Sequence, residues 1–202
     1  MKDFGFYLVI TNPVVGYARC AEAAVRAGVR IVQLRMKHAT REDILREARE
    51  MRRVTRGTDT LFIVNDDPAL AVEAEADGVH VGQDDMSPAE VRAKFPQLKV
   101  VGLSTHNLDQ VRTSWDQPID YIGVGPVYAT PTKDIPDPTL GPEMAGRMIA
   151  AARVPAVAIG GINAETLPPV LAAGARNFAV VRAVCQSPDP YSAIRKLVEI
   201  HA

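Results

Sequence analysis

The sequence has little cysteine, little aromatic content and almost no charge imbalance. Each shortage excludes something. Two cysteines, Cys20 and Cys185, are too few for a disulfide framework, so they read as free thiols in a reducing, cytoplasmic compartment. The formal net charge is −1, with 23 Lys+Arg against 24 Asp+Glu, which argues against a nucleic-acid partner gripped by a basic surface. No apolar run approaches the roughly 20 residues of a membrane span. The opening Met1-Lys2-Asp3-Phe4-Gly5 passes straight into a strand-like run and does not resemble a signal peptide. What remains is an ordinary globular composition, 47% hydrophobic and 23% charged over 202 residues, which is expected to form one domain spanning 1–202.

Short Val- and Ile-rich runs alternate with longer helical patterns. Strands are expected at 7–11, 31–35, 61–65, 78–82, 100–104, 121–125, 156–160 and 177–182. Several are nearly continuous apolar runs, as in parallel sheets covered on both faces. Helical patterns occupy 41–56, 68–75, 108–114, 142–152, 164–173 and 190–201, with Thr40 as an N-cap for the first. Ser87-Pro88-Ala89-Glu90 reads as a capping box. Glycines in Ala27-Gly28, Asp77-Gly78 and Ala173-Gly174 are expected to end helices in the left-handed conformation. Eight such units at about 25 residues each predict an α/β fold, a single (β/α)8 TIM barrel, with an open doubly wound sheet as the alternative.

In a barrel of this kind chemistry gathers where strands end. After the second strand, Gln33, Arg35 and Lys37 share one face at the strand period and would suit a polyanion. After the third and fourth come Asn65-Asp66-Asp67 and Gln83-Asp84-Asp85, two acidic pairs on neighbouring strands. They fit either helix N-caps or a hard divalent ion held together with a diphosphate. Ser104-Thr105-His106 follows the fifth strand; Ser104 could orient a substrate, and His106 reads as a loop residue or a base. After the sixth strand, 125–141 forms a long irregular stretch carrying Thr130, Thr132 and Lys133, with prolines that suit a hinged lid. Gly160-Gly161 after the seventh strand and Val181-Arg182 after the eighth occupy the usual phosphate position of such barrels. Two anion sites beside a metal suggest group transfer with diphosphate leaving.

Six stretches, taken in order, resemble the thiamine phosphate synthase family over essentially the whole chain. They are Val32-Gln33-Leu34-Arg35-Met36-Lys37, Val64-Asn65-Asp66, Gly78-Val79-His80-Val81-Gly82-Gln83-Asp84-Asp85, Gly102-Leu103-Ser104-Thr105-His106, Gly125-Pro126-Val127-Tyr128-Ala129-Thr130-Pro131-Thr132-Lys133 and Ala158-Ile159-Gly160-Gly161-Ile162. The resemblance implies a transferase of thiamine biosynthesis that joins 4-amino-2-methyl-5-hydroxymethylpyrimidine diphosphate to a thiazole phosphate. It implies that Gln33, Leu34, Arg35, Met36, Lys37 and Asn65 hold the pyrimidine diphosphate, and that Asp66 and Asp85 bind Mg²⁺. It further implies that Ser104 contacts the pyrimidine and Lys133 the diphosphate, while Thr130, Pro131, Thr132, Gly161, Val181 and Arg182 hold the thiazole phosphate. Arg35, Lys37 and Lys133 would then stabilise the leaving diphosphate. A homodimer is also implied. Met36 and Arg182 depart from the family pattern, where an acidic residue and a Ser are common. Two other functions remain open at this point, a thiazole tautomerase-like isomerase and a non-catalytic regulatory barrel; the missing His in the Gly125-Pro126 loop speaks against the first.

Overall fold

A computed structural model describes residues 3–130 and 138–201. Eight parallel strands close into a barrel in sequence order: β1 Phe6–Ile10, β2 Ile31–Leu34, β3 Leu61–Asn65, β4 Gly78–Val81, β5 Val100–Thr105, β6 Tyr121–Val124, β7 Ala156–Ile159 and β8 Asn177–Val180. The ring is sealed between β1 and β8, with Tyr7 opposite Ala179 and Leu8 opposite Val180. The expected TIM barrel is therefore what forms. Outside it run α1 Tyr17–Arg26, α2 Arg41–Thr55, α3 Pro68–Glu73, α4 Pro88–Lys94, α5 Leu108–Thr113, α6 Gly141–Ala151, α7 Leu167–Ala172, α8 Arg182–Cys185 and α9 Pro190–His201, with a 3₁₀ turn at Ser114–Asp116.

The strand period of two divides each run between two cores. Leu8, Ile10, Val32, Leu34, Phe62 and Val64 face the helices and belong to the larger, outer core. Tyr7, Val9, Ile31, Ile63, Val100, Tyr121, Val157 and Ala179 point inward and plug the barrel. Each large aliphatic side chain so buried contributes about 1.5–3 kcal/mol. Residues that continue the inward series past the plug emerge at the C-terminal mouth, which is how a strand end becomes a site.

Local signals set most boundaries. Thr40 accepts the Asp43 N–H at 3.1 Å and starts α2. Ser87 and Glu90 form the reciprocal capping box of α4. Gly28 (φ 75°) and Gly174 (φ 100°) close their helices left-handed, as expected. Asp77-Gly78 does not. The left-handed residue after α3 is Glu75 (φ 54°), while Gly78 opens β4. A Cβ on Gly78 would lie 2.1 Å from the Val100 carbonyl oxygen, so this glycine is required by close strand approach. Asp77 accepts the Phe62 N–H at 2.8 Å and pairs with Arg52 at 3.1 Å, joining α2 to β3.

Candidate active site

A cavity of about 820 Å³ opens at the C-terminal ends of the strands. Among the residues expected to bind substrate, Gln33, Arg35, Asn65, Ser104, Thr130, Gly161, Val181 and Arg182 line it. Leu34, Met36 and Lys37 do not, nor do Asp66 and Asp85. The Leu34 and Met36 side chains pack in the outer core, so any part they play in binding falls to their backbone. This follows from alternation, since 33 and 35 face inward and 34 and 36 must face the helices. Pro131, Thr132 and Lys133 lie outside the described residues, as do 134–137 of the expected lid. The segment's flanks return to one another: the Leu140 N–H donates to the Pro126 carbonyl and the Gly141 N–H to that of Val127, both at 2.9 Å.

The acidic pairs separate into different jobs. Asp67 caps α3, its carboxylate accepting the Leu70 N–H at 2.8 Å. Asp66 stands at φ 65°, a left-handed conformation that Asp tolerates better than most residues, and its carboxylate pairs with Lys37 at 2.5 Å. Asp85 accepts the Gly82 N–H at 2.7 Å and lies near enough to Asp66 to feel its charge. Partial burial, then the Asp66 charge, push the Asp85 carboxyl above its ordinary range, against the Gly82 N–H and Lys37. Lys37, Asp66 and Asp85 are thus brought together from the ends of β2, β3 and β4, as the sequence suggested.

Two like-charged carboxylates held near one another favour a cation between them, and an all-oxygen donor pair suits a hard divalent ion. Among the described residues no group of three or more His, Cys, Asp or Glu could hold a metal by itself. The carboxylate pair therefore fits an ion that also takes oxygens from a substrate, which is how Mg²⁺ commonly binds.

The glycine-rich end lies across the mouth. Gly160 (φ 107°) and Gly161 (φ 64°) turn sharply after β7. A Cβ on Gly161 would lie 2.7 Å from that of Tyr128 and 2.9 Å from the Ala129 oxygen, so only glycine fits. Arg182 lines the same cavity, its guanidinium donating to Gln186 at 3.2 Å. His106 also lines the cavity and donates from Nδ1 to the Gly125 carbonyl at 2.6 Å, bracing the end of β6.

The sequence reading assigned no role to three residues at the cavity floor. Tyr7, Tyr121 and His80 all line it. The Tyr7 hydroxyl accepts from Gln33 Nε2 at 2.7 Å and lies 2.9 Å from the Tyr121 hydroxyl. His80 sits 2.9 Å from Tyr121 through Nδ1 and 2.9 Å from Ser104 Oγ through Nε2. The His80 signal was present in the Gly78–Val81 run, a polar residue in an inward position of a buried strand.

The family model described as thiamine monophosphate synthase matches residues 6–184. The thiamine-phosphate synthase of Synechococcus sp. (strain WH7803) is 45% identical over 179 residues, covering 89% of this chain and 50% of that protein. The chain therefore spans half the length of that relative. The thiamine-phosphate synthase of Archaeoglobus fulgidus is 37% identical over 202 residues, 99% of this chain and 95% of that protein. A solved structure of thiamine phosphate pyrophosphorylase from Pyrococcus furiosus superposes with a TM-score of 0.88 at 28% identity, covering 98% of this chain and 96% of that one.

Proposed function

This chain belongs to the thiamine monophosphate synthase family, and on that premise we propose that it is the transferase that joins an aminopyrimidine methyl diphosphate to a thiazole phosphate, giving thiamine phosphate and diphosphate. The observation that carries the reading is the meeting of Lys37, Asp66 and Asp85 beyond the C-terminal ends of β2, β3 and β4, the same end of the barrel at which the cavity lined by Gly160, Gly161 and Arg182 opens. That gives two anion sites of different character at one end of the barrel, as two phosphorylated substrates require.

The chemistry asks for a leaving group and a positioned nucleophile. The bond between the pyrimidine methylene and the diphosphate oxygen breaks, and the ring's amino group feeds electrons to the developing cation. The thiazole nitrogen then supplies the electron pair of the new carbon–nitrogen bond. Negative charge collects on the leaving oxygen, where Arg35 and Lys37 stabilise it, with Lys133 as a further cation from the β6 loop. No protein nucleophile is needed. Gln33, Asn65 and Ser104 orient the pyrimidine from the cavity wall. Thr130, Gly161, Val181 and Arg182 hold the thiazole phosphate, with Pro131 and Thr132 adjoining, so the two reactants meet at high effective concentration. Asp66 and Asp85 would hold Mg²⁺, which when bound adds positive charge at the departing diphosphate.

A single domain, a homodimer and a reducing cytoplasmic setting accord with this reading. No helix among the described residues is long and apolar enough to cross a membrane. The test is to mix the protein with both phosphorylated substrates, with and without Mg²⁺, and measure thiamine phosphate and diphosphate together. Equal, Mg²⁺-dependent amounts of both are expected. Folded protein that makes neither would overturn the assignment.

A further inference from the structure

The cavity floor carries a continuous line of hydrogen bonds, Gln33–Tyr7–Tyr121–His80–Ser104, with every heavy-atom separation between 2.7 and 2.9 Å. It draws on β2, β1, β6, β4 and β5, so only the closed barrel assembles it. The barrel also makes room for it. His80, Gly102 and Tyr121 stand in register on adjacent strands. A Cβ on Gly102 would lie 2.2 Å from Tyr121 Cζ and 2.6 Å from His80 Nδ1, so this glycine is the gap through which the phenol and the imidazole meet.

The Gln33 amide nitrogen can only donate, so Tyr7 accepts from it. The Tyr7–Tyr121 bond can run either way; in the arrangement proposed below, Tyr7 gives its one hydrogen to Tyr121. Tyr121 in turn donates to His80 Nδ1. That fixes the proton of a neutral imidazole on Nε2, which donates to Ser104 Oγ. Ser104 keeps its hydrogen for the cavity, and Gln33 keeps its carbonyl oxygen. Burial keeps both phenols protonated and able to donate, holding each well above the ordinary tyrosine value.

We propose that Tyr7, Tyr121 and His80 are positioning residues that lock Gln33 as an acceptor and Ser104 as a donor toward the cavity, and so select an aminopyrimidine over its oxo counterpart. An aminopyrimidine edge offers an N–H donor beside a ring-nitrogen acceptor, the complement of that pair. The oxo form exchanges donor and acceptor and meets both wall groups with the wrong polarity. This deepens the function proposed above and rests on the pyrimidine reading of the site.

Two measurements test it. In ¹⁵N-histidine-labelled protein, long-range ¹H–¹⁵N spectra report the tautomer of His80, identified by its absence in His80→Gln. The neutral Nε2–H form is expected; the Nδ1–H form or a charged ring would overturn the proposal. Second, kcat/KM is compared for the 4-amino and 4-oxo pyrimidine diphosphates. The unaltered protein should prefer the amino form by at least about 100-fold. Tyr121→Phe, which cannot donate to His80, should cut that ratio about tenfold or more. Tyr7→Phe serves the same purpose should Tyr121→Phe not fold. An unchanged ratio in a folded variant would overturn the proposal. If neither diphosphate turns over, binding of the two free pyrimidine alcohols by calorimetry gives the same ratio. In that case an amino preference that falls in the variant would uphold the proposal while the transferase assignment fails, and equal binding would overturn it.

Discussion

The Asp66 carboxylate lies close enough to Asp85, across the ends of adjacent strands, to raise its affinity for a proton, and Lys37 closes on Asp66 from a third. Asp85 is held above its ordinary carboxyl range by partial burial and by its neighbour's charge. The folded chain therefore binds a proton at Asp85 more readily than the unfolded chain does. The cost of ionising it is absent below the ordinary value of 3.8 and fully present above the raised folded value. Asp85→Asn should accordingly stabilise the metal-free protein at neutral pH, with no gain at pH 3. Screening at this open rim keeps the gain at about 1 kcal/mol or less. The amide oxygen can still accept the Gly82 N–H. Thermal unfolding at the two pH values checks the sign. The same variant should need a far higher Mg²⁺ concentration for product formation, so stability and activity should move in opposite directions.

Arg182 should act on one substrate only. It lies at the glycine-rich rim and is steadied by Gln186, away from the Lys37–Asp66–Asp85 cluster. Arg182→Ser should raise KM for the thiazole phosphate about tenfold, the loss of one charge-assisted contact of roughly 1.5 kcal/mol. KM for the pyrimidine diphosphate should stay within about twofold. Steady-state kinetics with each substrate varied in turn decides this. Equal increases for both would place the guanidinium outside the thiazole phosphate site.

The rim of this site was more legible than its floor. Gln33, Arg35, Asn65 and Ser104 follow apolar runs, and the strand period alone turns them inward. Tyr7 and Tyr121 sit within their apolar runs, where an aromatic reads as core. Only closure of β8 onto β1 and the register of β4, β5 and β6 show that their hydroxyls meet. The two acidic pairs were ambiguous for a related reason. Which carboxylate caps and which turns to Lys37 depends on the left-handed turn at Asp66, a backbone choice with no side-chain periodicity. Gly78 misled because Asp-Gly is a common helix ending, whereas here the glycine answers a backbone carbonyl on the next strand. The four-residue α8 is too short for any helical period to register.

The gap at Gly102 gives a prediction that separates packing from polarity. A methyl group there would sit 2.2 Å from Tyr121 Cζ and 2.6 Å from His80 Nδ1. Both neighbours are ring atoms held on adjacent strands, so the plug must shift. Gly102→Ala should cost about 1–3 kcal/mol by overpacking, read as a lower urea midpoint at unchanged slope. If the variant folds, the His80–Tyr121 bond is the contact that has to open. Its His80 imidazole should then lose the single-tautomer signature even though every hydrogen-bonding group is still present. Tyr121→Phe should show the converse, a lost tautomer preference with the Gly102 gap intact. A Gly102→Ala protein of unaltered stability would mean that the barrel floor yields more readily than these distances allow.

The capping box of α4 is a control on stability that stands apart from the cavity. The Ser87 hydroxyl accepts the Glu90 N–H at 3.3 Å, and the Glu90 carboxylate accepts the Ser87 N–H at 3.3 Å and its hydroxyl at 2.8 Å. Those bonds hold the Glu90 carboxyl below its ordinary range, and Lys94 at 3.4 Å adds to them. Stability drawn from Glu90 is thus present above its ordinary value of 4.5 and lost as pH falls through the lower folded value. Ser87→Ala removes the hydroxyl and should cost about 1 kcal/mol at pH 7. The cost should shrink at pH 3, where the carboxylate is being protonated in both proteins. Urea titrations at the two pH values give the comparison. Neither ends of the cavity nor its floor includes Ser87, so kcat and both KM values should stay unchanged.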